Sequence, residues 1–164
     1  MEILSFIIIG IASRLMPHPA NMTAVGAMAL FSGAKFSFWK ASVIVCTTML
    51  ITDMVLGLHS VMWATYGSMI LAVLIGRWIG NSKHMSRIIG GVLVSSVVFF
   101  VITNFAVWAT TPLYPKTANG LLTCYIMALP FFRNSLVGDM FYTIALFSFE
   151  VVFASRRLNY AKRS

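Results

Sequence analysis

Four long apolar stretches constrain this chain more than any other feature. Residues 38–58, 61–80, 88–111 and 136–155 form runs of 21, 20, 24 and 20 residues, each with at most two charged side chains. About 20 helical residues cross a hydrocarbon core. The runs are continuously apolar and do not alternate, which excludes the strands of an outer-membrane barrel. Composition agrees: 59% of residues are hydrophobic and 10% charged, against about 25% charged in an average soluble domain. Twelve Lys and Arg with four Asp and Glu cannot cover a globule of this size in water. A water-soluble enzyme and a disordered chain are both excluded.

The N-terminal stretch MEILSFIIIGIASRLM carries Glu2 and no Lys or Arg before Arg14. A signal peptide would begin with a basic region, so an uncleaved first span is expected. Residues 20–34 form a second short apolar run, separated from the first by Pro17-His18-Pro19. Residues 121–132 are apolar but short, and Pro130 interrupts them; the expectation is a re-entrant or interfacial piece before the last span. The predicted fold is therefore an all-α membrane domain over residues 1–164, a compact bundle of six transmembrane helices. With the C-terminus inside, the inner loops receive Lys35, Lys40, Arg77, Lys83, Arg87, Arg156, Arg157, Lys162 and Arg163, and the outer loops receive Arg14, Lys116 and Arg133. This positive-inside bias predicts a multi-pass protein of the bacterial inner membrane with both termini cytoplasmic.

The net charge of +8 does not imply nucleic acid, because the basic residues are scattered between apolar runs and form no stripe. Cys46 and Cys124 stand alone in apolar surroundings, which argues against a disulfide framework or a zinc site. There is no Gly-Lys-Ser/Thr phosphate loop, no Gly-x-Ser-x-Gly elbow and no His-Glu-x-x-His. His18 and His59 lack a third ligand at recognisable spacing. No cofactor, metal or catalytic activity is expected.

The polar residues cluster by depth. Arg14, His18, Asn21, Asp53, His59, Tyr66, Asn104, Trp108, Tyr125, Arg133 and Asp139 all fall in the outer half or the outer loops of the six-span arrangement. Asp53 lies four residues before Gly57, about 6 Å deep, and Asn104 about 10 Å deep, at about 1.5 Å per residue. Ionisable groups inside a membrane usually face a cavity or a partner, so Asp53 is expected to face the interior and pair with Arg14 or Arg133. Asp139 stands just under the outer surface, where a helix N-terminus would favour it. Ala20, Ala24, Ala29 and Gly33 have the spacing that lets helix backbones approach closely. They would serve packing within the bundle or docking of another membrane protein.

RLMPHPANMTAVGAMALFSGA (14–34), TDMVLGLH (52–59), SSVVFFVITNFAVWA (95–109) and YPKTANGLLTCYIMALPFFRNSLVGDMFY (114–142) resemble a family of small bacterial membrane proteins labelled as transport proteins of unknown function. That pattern has a second proline and an aromatic where this chain has Ala20 and Met22. The six-span size also resembles the substrate-binding, or S, components of energy-coupling-factor transporters. This likeness implies vitamin binding from the outer face and uptake driven by a membrane coupling subunit and ATPase subunits.

The sequence therefore supports a binding and translocation subunit for a small polar or vitamin-like solute, in contact with membrane lipids. Arg14, His18, Asn21, Asp53, His59, Tyr66, Asn104, Trp108, Tyr125 and Asp139 are its candidate binding residues. The alternatives are a membrane enzyme acting on a lipid or quinone, with Asp53 and His59 as its acid and base, and a stand-alone secondary carrier.

Overall fold

The computed structural model describes residues 3–82 and 84–161, with side chains placed for 4–82 and 84–151. Lys83, Lys162 and Arg163 of the inner basic set, and the side chains of Arg156 and Arg157, lie outside the described residues.

The described chain is all-helical, with six helices in the order α1 (Ile3–Leu15), α2 (Val25–Lys35), α3 (Phe38–Leu56), α4 (Met62–Ile79), α5 (Met85–Thr110) and α6 (Ala118–Ala161). Four are long and apolar enough to cross a membrane: α3, α4, α5 and the Ala118–Val151 part of α6. The outward face of α3 shows what surrounds the bundle. Val43, Leu50 and Met54 recur at helical spacing and are 59%, 50% and 74% exposed. A water-soluble monomer does not leave such a stripe open to solvent.

Helix α2 is the hub. With 11 residues it is about 16 Å long, roughly half a hydrocarbon core, and every residue from Val25 to Gly33 is buried. It packs against each of the other five helices, as a helix apolar all round must. Lipid is as apolar as these side chains, so their burial brings little hydrophobic gain, and close contact has to supply the stability. Phe31 stacks on Phe6 of α1 at 5.4 Å and meets Phe147 of α6 edge-on at 5.0 Å. The crossing of α2 with α4 is tighter still. A Cβ on Gly33 would strike the Val73 carbonyl, and one on Gly76 would strike the Leu30 carbonyl. Each backbone fills the space that the other helix's glycine leaves empty.

These contacts decide between the two uses expected for the small residues. Ala24, Ala29 and Gly33 are buried within the bundle, so they pack the hub and do not form a free docking face. Ala20 alone stays exposed.

The structure differs from expectation at residues 121–132. They form no separate re-entrant piece but the first part of the continuous α6. Pro130 has no N–H for the Ile126 carbonyl and would break a soluble helix. In membrane helices neighbouring groups can satisfy such a freed carbonyl, and here the helix runs on. At the other end of the bundle, Lys35 pairs with Glu150 at 2.7 Å and bonds Asn81 at 3.3 Å, tying the foot of α2 to α6 and to the α4–α5 turn.

Candidate functional site

At the end where α1 meets α2 and α3 meets α4, the helices enclose a cavity of about 330 Å³. All six helices or their adjoining loops contribute to its wall, and α4, α5 and α6 do so at helical period. Helix α4 provides Thr65, Ser68, Met69 and Ala72; α5 provides Ser95, Phe99, Thr103 and Val107 on one stripe with Phe100 and Asn104 beside it; α6 provides Ala128, Phe131, Phe132, Ser135 and Asp139. Residues three and four apart share a helix face, so α4 turns a hydroxyl face inward and α5 and α6 turn mixed hydroxyl and aromatic faces inward.

The loop between α1 and α2 forms another side of the cavity and is pinned from both directions. Met22 N donates to the Pro19 carbonyl at 2.9 Å, closing a turn. Ser13 Oγ accepts from the Ala24 amide at 3.1 Å, and Asn134 Nδ2 of α6 donates to the Ala20 carbonyl at 3.2 Å. Within the turn Asn21 has φ 64°, a left-handed conformation that asparagine tolerates better than most residues. Asn21 is thereby placed on the cavity wall. Met22 packs directly on Gly138 of α6.

Arg14, at the end of α1, is the charged anchor of one wall. Its Nη2 donates to Asp53 Oδ1 at 2.7 Å, and Tyr66 Oη donates to Asp53 Oδ2 at 2.9 Å. Asp53 is 1% exposed and faces the protein interior, as expected, with Arg14 rather than Arg133 as its partner. Both of its oxygens are occupied. The Nη1 atom of Arg14 is buried, has no hydrogen-bond partner among the described residues, and belongs to a side chain that lines the cavity.

Asp139 is the second charge on the wall, 7% exposed. Ser96 Oγ donates to its Oδ2 at 2.7 Å. Its Oδ1 lies against Gly26, where any Cβ would collide with the carboxylate. Glycine in the first turn of α2 is what lets α6 bring an acid to this helix N-terminus. The α2 N-cap is Ala24, which makes no side-chain cap, and the nearby negative charge suits the helix dipole.

The ten candidate residues thus divide into three groups. Arg14, Asn21, His59, Asn104 and Asp139 line the cavity. Asp53 and Tyr66 stand behind Arg14 and hold it. The remaining three are bonded to backbone: His18 Nδ1 to the Met16 carbonyl at 2.6 Å, Trp108 Nε1 to the Pro115 carbonyl at 2.9 Å, and Tyr125 Oη to the Val101 carbonyl at 2.9 Å. Trp108 also carries Lys116 over its ring at 5.9 Å, so it orders the α5–α6 loop rather than the cavity floor.

The hydroxyl groups and the four phenylalanines of the wall are not marked out by sequence depth or charge. A serine or threonine in a span often bonds its own helix, as Ser68 does to Ala64 and Thr103 to Phe99. Only the recurrence of Ser95, Phe99 and Thr103 every fourth residue pointed to a shared inward face. Among the described residues no group of three or more His, Cys, Asp or Glu is placed to hold a metal ion. Cys124 Sγ donates to the Asn104 carbonyl at 3.4 Å.

A protein-family model described as "Family of unknown function (DUF6580)" matches residues 1–161. No curated protein and no solved structure matches the chain.

Proposed function

The chain belongs to the DUF6580 family of unknown function, and from that premise we propose that it is a membrane-embedded binding and translocation subunit for a small polar or vitamin-like solute. The cavity carries this reading. Its volume of about 330 Å³ falls at the lower end of the roughly 300–1,000 Å³ of small-molecule sites. Its wall combines aromatic faces with hydroxyls, two asparagines and two opposite charges, the mixture that fixes the orientation of a polar ligand.

The positive-inside distribution of Lys and Arg supports placing the cavity end outward and both termini in the cytoplasm of a bacterium. The sequence holds no phosphate-binding loop, so uptake driven by ATP would require a coupling subunit with ATPases, as in the energy-coupling-factor transporters whose S components this chain resembles in size. Catalysis is the weaker reading. Asp53, the acid that would act with His59, has both oxygens taken by Arg14 and Tyr66.

A thermal-shift screen of detergent-purified protein against water-soluble vitamins, nucleosides and amines tests the proposal. A stabilising compound should lose about tenfold in affinity in Asn104→Ala, given roughly 1–2 kcal/mol per lost buried contact, with little change in the melting temperature of the free protein. A melting temperature that falls sharply with no compound bound by either form would make the outer cluster a plug. Proteoliposomes of this chain alone that accumulate such a compound only under an ion gradient would instead favour a stand-alone carrier.

A further inference from the structure

The charge balance around the cavity indicates what kind of solute fits. Three acids have described side chains: Asp53, Asp139 and Glu150. Asp53 is paired with Arg14 and Glu150 with Lys35, each at 2.7 Å. Asp139 has no cation among the described residues; Ser96 bonds Oδ2, and Oδ1 accepts no hydrogen bond. Among the described residues, Arg14 and Asp139 are the only Lys, Arg, Asp or Glu on the cavity wall, and the charge of Arg14 is already balanced by Asp53. The α2 N-terminus beside Gly26 contributes a partial positive charge of only about half a unit. The described Lys and Arg of the wall therefore leave one carboxylate unmatched. Buried carboxylates are costly unless paired, so a proton or a cationic ligand must supply the balance. An anion would add to the excess.

Resting on the reading of this cavity as a solute site, we infer that its ligand is a small organic cation of the ammonium or amidinium class. The cationic group sits on the Asp139 carboxylate, which lines the cavity and whose Oδ1, packed against Gly26, has no hydrogen-bond donor among the described residues. A carbonyl or ring nitrogen elsewhere on the ligand accepts from the unpartnered Nη1 of Arg14. The body of the ligand lies among Phe99, Phe100 and Phe132, whose faces attract cations as well as apolar surface.

Three probes of nearly equal shape and different charge test the inference on the full chain in detergent: benzamidinium, benzamide and benzoate. Benzamidinium should bind at least about tenfold more tightly than either of the others, a preference of about 1.4 kcal/mol. Asp139→Asn should weaken it at least about 30-fold, the lower end of what truncating one side of a buried charge pair costs. Because Asp139→Asn also alters the bond to Ser96, a second variant supplies the missing charge in place. Ser135→Lys, one helical turn before Asp139 on the same wall, should abolish benzamidinium binding and raise the melting temperature of the free protein. If Asp139 serves only its bond to Ser96, Ser135→Lys lowers that temperature and the inference fails. Benzamide or benzoate binding as tightly as benzamidinium overturns the cation but leaves a solute site in place. Benzamidinium that binds equally well to Asp139→Asn, or not at all to the native chain, also overturns it. The loss of all solute binding in the wider screen would defeat the underlying reading itself.

Discussion

Arg14 and Asp53 form a buried ion pair at 2.7 Å in which the acid is fully satisfied and the guanidinium is not. Tyr66 takes the second carboxylate oxygen at 2.9 Å, while Arg14 Nη1 is buried with no hydrogen-bond partner among the described residues. The pair joins α1 to α3 and, through Tyr66, to α4. It positions a donor without adding net charge to the wall.

Breaking this pair from the acid side leaves a buried guanidinium uncompensated. Asp53→Asn should therefore destabilise the protein by about 3–5 kcal/mol, measured as reversible unfolding in mixed detergent micelles. Tyr66→Phe removes one hydrogen bond and should cost about 1–3 kcal/mol, because Asp53 Oδ2 is left without that donor. Equal effects from the two variants would mean that the ion pair contributes no more than the hydroxyl.

The α2–α4 crossing makes a prediction with its own internal control. Gly33→Ala and Gly76→Ala each force a methyl group onto a backbone carbonyl of the facing helix, and overpacking of this kind costs about 1–3 kcal/mol. Gly67 of α4 and Gly90 of α5 have open space where a Cβ would stand. Alanine at either should be neutral or stabilising by up to about 1 kcal/mol. Unfolding midpoints of the four variants decide the matter, and a uniform response would remove the close crossing from the account.

Helix α5 separates two loops that should lie on opposite sides of the membrane. Its 26 residues span about 39 Å, more than a hydrocarbon core of about 30 Å. Cysteine placed at Asn81 should react with an impermeant maleimide only from the cytoplasmic side, and cysteine placed at Lys116 only from outside. Labelling of both from one side would contradict the orientation and the cavity's outward placement.

Much of this architecture was legible in the amino-acid sequence, for reasons that differ from element to element. Run length sets α3, α4 and α5, since a helix of that apolarity has no other solvent. The depth of Asp53 required an interior partner, and Arg14 was one of two cations within reach. The continuity of α6 was not legible, because Pro130 reads as a break by local rules and the neighbours that tolerate it are distant in sequence. His18 and Trp108 looked like cavity groups by depth alone, yet backbone carbonyls of their own loops claim them. The acid left without a cation emerged only once Arg14 had been assigned to Asp53, because the sequence shows both signs at the same depth and no pairing.

The central claim is that a solute occupies the cavity lined by Ser68, Ser95, Asn104 and Asp139. Native mass spectrometry of the intact chain released from detergent measures this directly, with Ser68→Phe as the variant that fills the cavity from α4. The native protein should carry a discrete non-lipid adduct, restored by adding back the extracted small molecules, and absent from Ser68→Phe while α-helical content is retained. An adduct that persists in Ser68→Phe, or a native protein that carries only lipid under every condition, would contradict it.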